Sequence, residues 1–264
     1  MHSNELGATE MMANISLGGV LLAAFILTVV RLALARTGAV ARAGNRTGIV
    51  QTTRSVEEIV ESLIFAGVLV FMIIRPFFAQ AFFIPSASME KTLLGHNAGK
   101  NSDTGISYSD TAHDHLFVNK LVYRYAEPHR GDIVVFKAPL EADMENPSKG
   151  LPPVENTLIK RLIAIPGDKI SVHDGAVWLM KRDSRAFVRQ QEPYINEPMD
   201  DPQSGEARFA DREPLTVPPG KLFVMGDNRN HSNDGRFWGL LERTRVIGKA
   251  SLIFYPFNRF RVLP

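Results

Sequence analysis

Two serines stand two positions apart in "AFFIPSASMEKTLLG" (81–95), directly behind a long apolar stretch, and Ser88 is followed at once by Met89. A serine hydroxyl is a weak nucleophile until a neighbouring base takes its proton. Cysteine is absent, which excludes thiol nucleophiles, thiolate zinc sites and disulfides. Histidine is the usual base, and the chain has His2, His96, His113, His115, His129, His173 and His231. Strand alternation sets His113 and His115 of "HDH" on one face, but no third ligand lies nearby in sequence, so these read as solvated loop residues. Neither a G-x-S-x-G elbow nor an H-E-x-x-H helix occurs, so neither a hydrolase-elbow triad nor a zincin is indicated.

Lysine offers a different base. In "TLIKRLIAIPGD" (157–168) alternation sets Lys160 on a face with Leu158 and Leu162, and Arg161 on a face with Ile159 and Ile163. One of the two cations must approach apolar surroundings, and periodicity does not say which. Arginine stays charged, whereas a buried lysine loses its proton. At pH 7 a lysine of pKa about 10.4 is neutral in roughly one molecule in 2,500, and at about 8 in roughly one in ten. A neutral lysine beside a serine takes its proton, the Ser–Lys variant of nucleophilic catalysis. Taken alone, Lys160 also fits an ordinary strand-end residue whose stem snorkels.

The elements around these residues read as strands. "HLFVNKLVYRY" (115–125), "GDIVVFKAP" (131–139) and "TLIKRLIAIPGD" are short apolar runs bounded by turn residues. Asp174-Gly175 within "KISVHDGAVWLMK" (169–181) signals a hairpin. "LTVPPGKLFVMGDN" (215–228) pairs two runs around Pro-Pro-Gly, and "GKASLIFYPF" (248–257) supplies a last strand. No amphipathic helix of useful length follows residue 95. Residues 181–214 are polar, with Pro193, Pro198 and Pro202 among them, and read as a surface excursion. A mainly β domain, barrel or sandwich, is expected over 80–264.

Upstream, Met11–Val30 carries no charge over 20 residues, enough for a helix to cross roughly 30 Å of hydrocarbon. A second apolar stretch runs from near Ile59 to Ala81, interrupted by Arg75 and Pro76, with "SVEE" placing Ser55 as a helix cap and Glu58 as its partner. Arg31, Arg36, Arg42, Arg46 and Arg54 lie between the two, and the first ten residues hold no Lys or Arg. Positive charge stays cytoplasmic. The expected organisation is therefore an extracytoplasmic tail 1–10, a transmembrane helix 11–31, a basic cytoplasmic loop 32–58, a second transmembrane helix 59–79 and an outer domain 80–264. The net charge of +2 and the lack of a concentrated basic patch argue against a nucleic-acid partner.

"IPSASM" (84–89), "DHLFVNK" (114–120), "RGDIVVF" (130–136), "IKRLIAIPGD" (159–168) and "GDNRNHSNDGRFWG" (226–239) occur in this order. Together they resemble the bacterial type I signal peptidases, a Ser–Lys dyad family, over most of residues 59–257. The resemblance implies Ser88 as nucleophile and Lys160 as its general base. It implies Ser86, with the Ser88 N–H, as the oxyanion hole, and Ser232 as a hydrogen-bonding orienter of the lysine. Asp234 and Arg236 match a supporting ion pair, and Asp227 and Asn228 the turn beneath Lys160. Phe82, Ile84, Met89, Leu116 and Ile159 could line shallow pockets for small side chains, although each also suits an ordinary core. The implied substrates are exported preproteins still tethered to a phospholipid bilayer, cut at the outer face of the cytoplasmic membrane without cofactor or metal.

The sequence departs from the family at Lys91, where proline is common, and at Gly235, where serine is common. Residues 96–113, "HNAGKNSDTGISYSDTAH", look inserted and read as a mobile loop near the cleft. Two rival readings are a self-cleaving repressor sharing the dyad and an inactive membrane-tethered β module that binds exported chains. The first calls for an N-terminal helix-turn-helix, and loss of Ser88 or Lys160 would favour the second.

Overall fold

The computed structural model describes residues 17–44, 47–70, 74, 78–101, 105–139, 142, 156–195, 197, 199 and 214–264. The chain divides into two compact units, Met1–Gln80 and Ala81–Pro264.

In the first unit α1 (Leu17–Ala43) and α2 (Thr47–Val68) pack against each other. Their close approach falls at Gly38, where an added Cβ would lie 3.1 Å from Thr53 Oγ1. Arg31 reaches Glu61 at 3.1 Å across the pair. The stretch expected as a basic loop is therefore largely helical. "LALARTGAVARA" is rich in strong helix formers and lacks proline, so α1 propagates through it. Ser55 is not a cap: α2 begins eight positions earlier, and the Ser55 hydroxyl donates back to Gln51 O. Glu58 pairs with Arg54 one turn before it. Among the described residues no helix is long and apolar enough to cross a membrane. Residues 11–16 of the first expected span, Arg46, Arg75 and Pro76 lie outside the described residues.

The second unit is mainly β. Its large antiparallel sheet contains β1 (Ala79–Phe83), β6 (His115–Asn119), β7 (Ile133–Lys137), β8 (Thr157–Ala164), β13 (Lys221–Met225), β14 (Leu241–Glu242), β15 (Val246–Tyr255) and β16 (Arg261–Val262). The order is β1-β6-β15-β7-β8-β13-β14, with β16 on β15. Both faces are covered, which is why β7 reads as an unbroken apolar run rather than an alternation. Ile133 and Val135 enter one core with Leu116, Val118, Ala250 and Ile253, while Val134 and Phe136 enter another with Leu162, Val224 and Trp238.

A smaller sheet follows the order β11-β10-β9-β12, from β9 (Lys169–His173), β10 (Ala176–Met180), β11 (Val188–Arg189) and β12 (Leu215–Thr216). Asp174 and Gly175 adopt φ of 50° and 63°, so the expected hairpin is a two-residue turn with the positive dihedrals that Asp-Gly accepts. A third core, including Ile163, Val172, Leu179, Val217 and Phe223, lies between the two sheets.

Three local expectations are corrected. "KLVYRY" is not strand: Asn119 Oδ1 accepts from the N–H groups of Leu121 and Val122, and a one-turn helix α3 (Val122–Tyr125) starts there. The two runs around Pro218-Pro219-Gly220 do not pair with each other. β12 joins β9 and β13 joins β8, so this turn carries the chain between sheets. Of the 96–113 segment, residues 96–101 and 105–113 are folded onto the domain as two short pairs, β2 (Gly95–His96) with β5 (Ala112–His113) and β3 (Gly99–Lys100) with β4 (Ser107–Tyr108). The only other helix described after residue 95 beyond α3 that spans a full α-turn is α4 (Gly235–Trp238).

Candidate active site

Ser88 sits in a single 3₁₀ turn, Ala87–Met89, entered from an extended Ser86 (φ −128°, ψ 153°). The Glu90 N–H closes that turn on Ala87 O at 3.0 Å. Ala87 and Met89 are buried and anchor it, which leaves Ser86 exposed and Ser88 half-buried. From the far end of the sequence, the Asn228 N–H donates to Ser88 O (3.2 Å) and its side-chain amide to Ala87 O (3.1 Å). Two glycines permit this crowding. A Cβ on Gly95 would lie 2.4 Å from Ser86 O, and one on Gly226 would lie 2.5 Å from Ser88 O and 2.2 Å from Ser232 Oγ.

Lys160 comes from β8, opposite Val134 on β7. On the other side β13 pairs with β8 only as far as Met225 opposite Arg161, then leaves as Gly226-Asp227-Asn228. Lys160 therefore emerges where the sheet opens. Its Nζ is hydrogen-bonded to Ser88 Oγ at 2.6 Å, and Ser86 Oγ lies 3.4 Å from Ser88 Oγ. Lys160 is only 3 % exposed. Burial pushes its pKa down to about 8; the carboxylates of Asp234 and Asp227 oppose that shift and Arg236 adds to it.

Both carboxylates are occupied elsewhere. Asp234 caps α4 and accepts from the N–H groups of Gly226 and Arg236 and from the Arg236 guanidinium at 2.9 Å. Burial alone would raise its pKa, but Arg236 and these N–H groups outweigh that and hold the carboxyl below the usual range. Asp227 takes a two-pronged ion pair from Arg161 (2.8 and 2.6 Å) and the Thr92 hydroxyl (2.6 Å). Arg161 also stacks on the Tyr194 ring at 3.9 Å. Both cations of "KR" are thus buried, not one: strand alternation sends them to opposite faces, and each face is covered.

Ser232 is buried beneath Gly226, and its hydroxyl has no hydrogen-bond partner, so the expected bond to Lys160 is not formed here. The five pocket candidates gather in one apolar cluster. Ile84, Met89 and Leu116 are buried within it, while Phe82 and Ile159 pack at its margin with surface still open. His113 and His115 are not solvated as expected: His115 is buried and His113 half-buried. His96 is buried as well. His115 packs between Phe83 and Tyr255, where burial lowers its pKa, reinforced by His113 and opposed by Asp114.

Several supporting residues had no sequence signal. Glu192 pairs bidentately with Arg229 (2.8 and 2.6 Å) and accepts the Tyr194 hydroxyl, so part of the polar 181–214 stretch packs behind "KR" and "GDNR". Gly235 is explicable in hindsight: a Cβ there would lie 2.8 Å from Val224 O. Lys91 is exposed, and nothing in the structure explains its departure from proline.

The chain is also similar to known proteins over most of its length. The family model "Signal peptidase, peptidase S26" matches residues 56–255. "Probable signal peptidase I-1" of Synechocystis is 34 % identical over 198 residues, which cover 75 % of this chain and 82 % of that protein. "Signal peptidase I" of Leptolyngbya laminosa is 35 % identical, covering 70 % and 73 % respectively. "Signal peptidase I" of Bacillus licheniformis is 32 % identical, covering 78 % and 92 %. A family model over most of the chain, with relatives above 30 % identity across most of their own length, leaves one assignment: the chain belongs to the S26 signal peptidase family.

Proposed function

We propose that this protein removes N-terminal signal peptides from exported preproteins at the outer face of the cytoplasmic membrane, with Ser88 as nucleophile and Lys160 as general base. The observation that carries this reading is the 2.6 Å approach of a buried amine to a serine hydroxyl. In its neutral form Lys160 accepts the Ser88 proton as Oγ attacks the scissile carbonyl. The C–N bond then breaks as the resulting ammonium returns that proton to the leaving amine. Water repeats the sequence on the acyl-enzyme and frees Ser88. The negative charge on the carbonyl oxygen is received by the Ser86 hydroxyl and the Ser88 N–H. Removing one such donor typically lowers rate by roughly 10² to 10³. Asp227, Asp234 and Arg236 hold the turn beneath the lysine, and Ser232 orients it once its hydroxyl rotates towards Nζ.

The substrate has a natural berth. No described strand pairs with the second edge of β8 over Thr157–Lys160, and Lys160 at its end meets Ser88. A preprotein laid there as an added strand brings its scissile bond past Ser88, a mode of recognition that uses main-chain hydrogen bonds for affinity. Phe82 and Ile159 border the space beside it and favour small side chains, whereas Ile84, Met89 and Leu116 shape it from beneath. Anchoring rests on sequence: uncharged residues 11–30 and the apolar run from 59 serve as spans, and the arginines between them stay inside. The partners are thus exported preproteins and the phospholipid bilayer.

The test compares the wild type with Ser88→Ala and Lys160→Ala on a detergent-solubilised preprotein, followed by gel mobility. Each variant loses processing while retaining substrate binding. Undiminished cleavage by Lys160→Ala would remove Lys160 as the base, whereas a wild type that binds the preprotein without cleaving it would favour the inactive β module.

A further inference from the structure

Glu90 follows the nucleophile by two residues, yet its carboxylate is turned inward and only 5 % exposed. A buried carboxylate is tolerated when its oxygens are filled. Here both are. His96 Nδ1 lies 2.5 Å from Oε1, which assigns the ring proton to Nδ1 because a carboxylate only accepts. The Gly95 N–H reaches the same oxygen at 3.4 Å, and the Tyr108 hydroxyl donates to Oε2 at 2.7 Å. The His96 and Tyr108 rings stack with centroids 3.8 Å apart, so the two donors hold each other in place. Both belong to the folded 96–113 segment.

The same segment touches the turn at its other end. His113 Nδ1 donates to Ile84 O at 2.8 Å, and its Nε2 lies 3.0 Å from Asn97 Oδ1. Between these two attachments lie Ser86 and Ser88, and the Glu90 N–H that closes the serine turn is carried by the residue whose side chain is tethered. We propose that the 96–113 segment is a clamp that positions the nucleophile turn, with His96 and Tyr108 acting through Glu90 at one end and His113 through Ile84 at the other. None of the three is a catalytic residue. Their effect is to keep Ser88 Oγ within hydrogen-bonding range of Lys160, and a displacement of about 1 Å in such a geometry is worth on the order of 10² in rate. The proposal rests on Ser88 being the nucleophile.

The full chain in detergent is assayed on a preprotein for kcat and KM separately. His96→Ala lowers kcat tenfold or more with KM changed less than threefold. His96→Asn recovers most of that loss, because its amide nitrogen replaces Nδ1. Tyr108→Phe, which removes one hydroxyl and leaves the stack intact, lowers kcat about threefold to tenfold. Ser88→Ala abolishes cleavage. Kinetics within twofold of the wild type for both His96→Ala and Tyr108→Phe overturn the clamp while leaving the nucleophile standing. A loss that His96→Asn does not recover also overturns it, since the ring would then only fill space. Residual cleavage by Ser88→Ala overturns the underlying reading, and the clamp with it.

Discussion

Lys160 and Arg161 are consecutive on β8, equally buried at 3 % exposure, and aimed at opposite partners: Lys160 at the Ser88 hydroxyl and Arg161 at the Asp227 carboxylate. One position along the strand separates the two roles. Arg161 keeps its charge and neutralises Asp227 at close range. The same carboxylate acts on Lys160 only as a weaker opposing field, so burial prevails and the amine approaches neutrality.

The pH–rate profile follows from that balance. Lys160 must be neutral to accept a proton, and its pKa lies at about 8. Turnover measured on a preprotein therefore rises about tenfold per pH unit below that value and levels above it. A profile flat from pH 6 to 9 would contradict the assignment.

Stability has its own pH signature. The unfolded lysine, near 10.5, binds more protons than the folded one, so stability increases with pH between about 8 and 10.5. The penalty, about 3 kcal/mol, is complete below that window and absent above it. Lys160→Met keeps the volume and removes the charge. Denaturant unfolding of the β unit is expected to find it more stable than the wild type at pH 7, with the difference vanishing near pH 11.

Arg161→Lys is not conservative here. The guanidinium makes two bonds to Asp227 and one to Gly131 O, and lies over Tyr194. A lysine loses the fork and the stacking, and Arg161→Ala leaves Asp227 with a buried uncompensated charge. Destabilisation of about 3–5 kcal/mol is expected for the alanine variant. An unfolding midpoint unchanged by either substitution would show the network to be dispensable.

Gly226→Ala probes the turn rather than the dyad. The new methyl meets Ser88 O at 2.5 Å and the Ser232 side chain closer still, so the serine turn must shift. Loss of kcat by tenfold or more is expected, with KM changed little. Equal turnover in wild type and variant would mean that the crowding relaxes without moving Ser88.

Much of this molecule is determined locally. Asp174-Gly175 makes a hairpin because those residues accept positive φ. β7 and the end of β8 read as apolar runs because both faces are covered, and Ser88 stands out in "IPSASM" before any coordinates are drawn. Tertiary structure alone decided which cation meets which partner. Lys160 and Ser88 are 72 positions apart, and the register of β8 against β7 and β13 sets the pairing. It also decided that Pro218-Pro219-Gly220 passes between sheets, that Glu192 returns to Arg229, and that the 96–113 segment folds onto Glu90. Such contacts are invisible to periodicity. A polar residue far along the chain is drawn in only when a buried charge elsewhere must be matched, and that demand exists only once the sheets have packed.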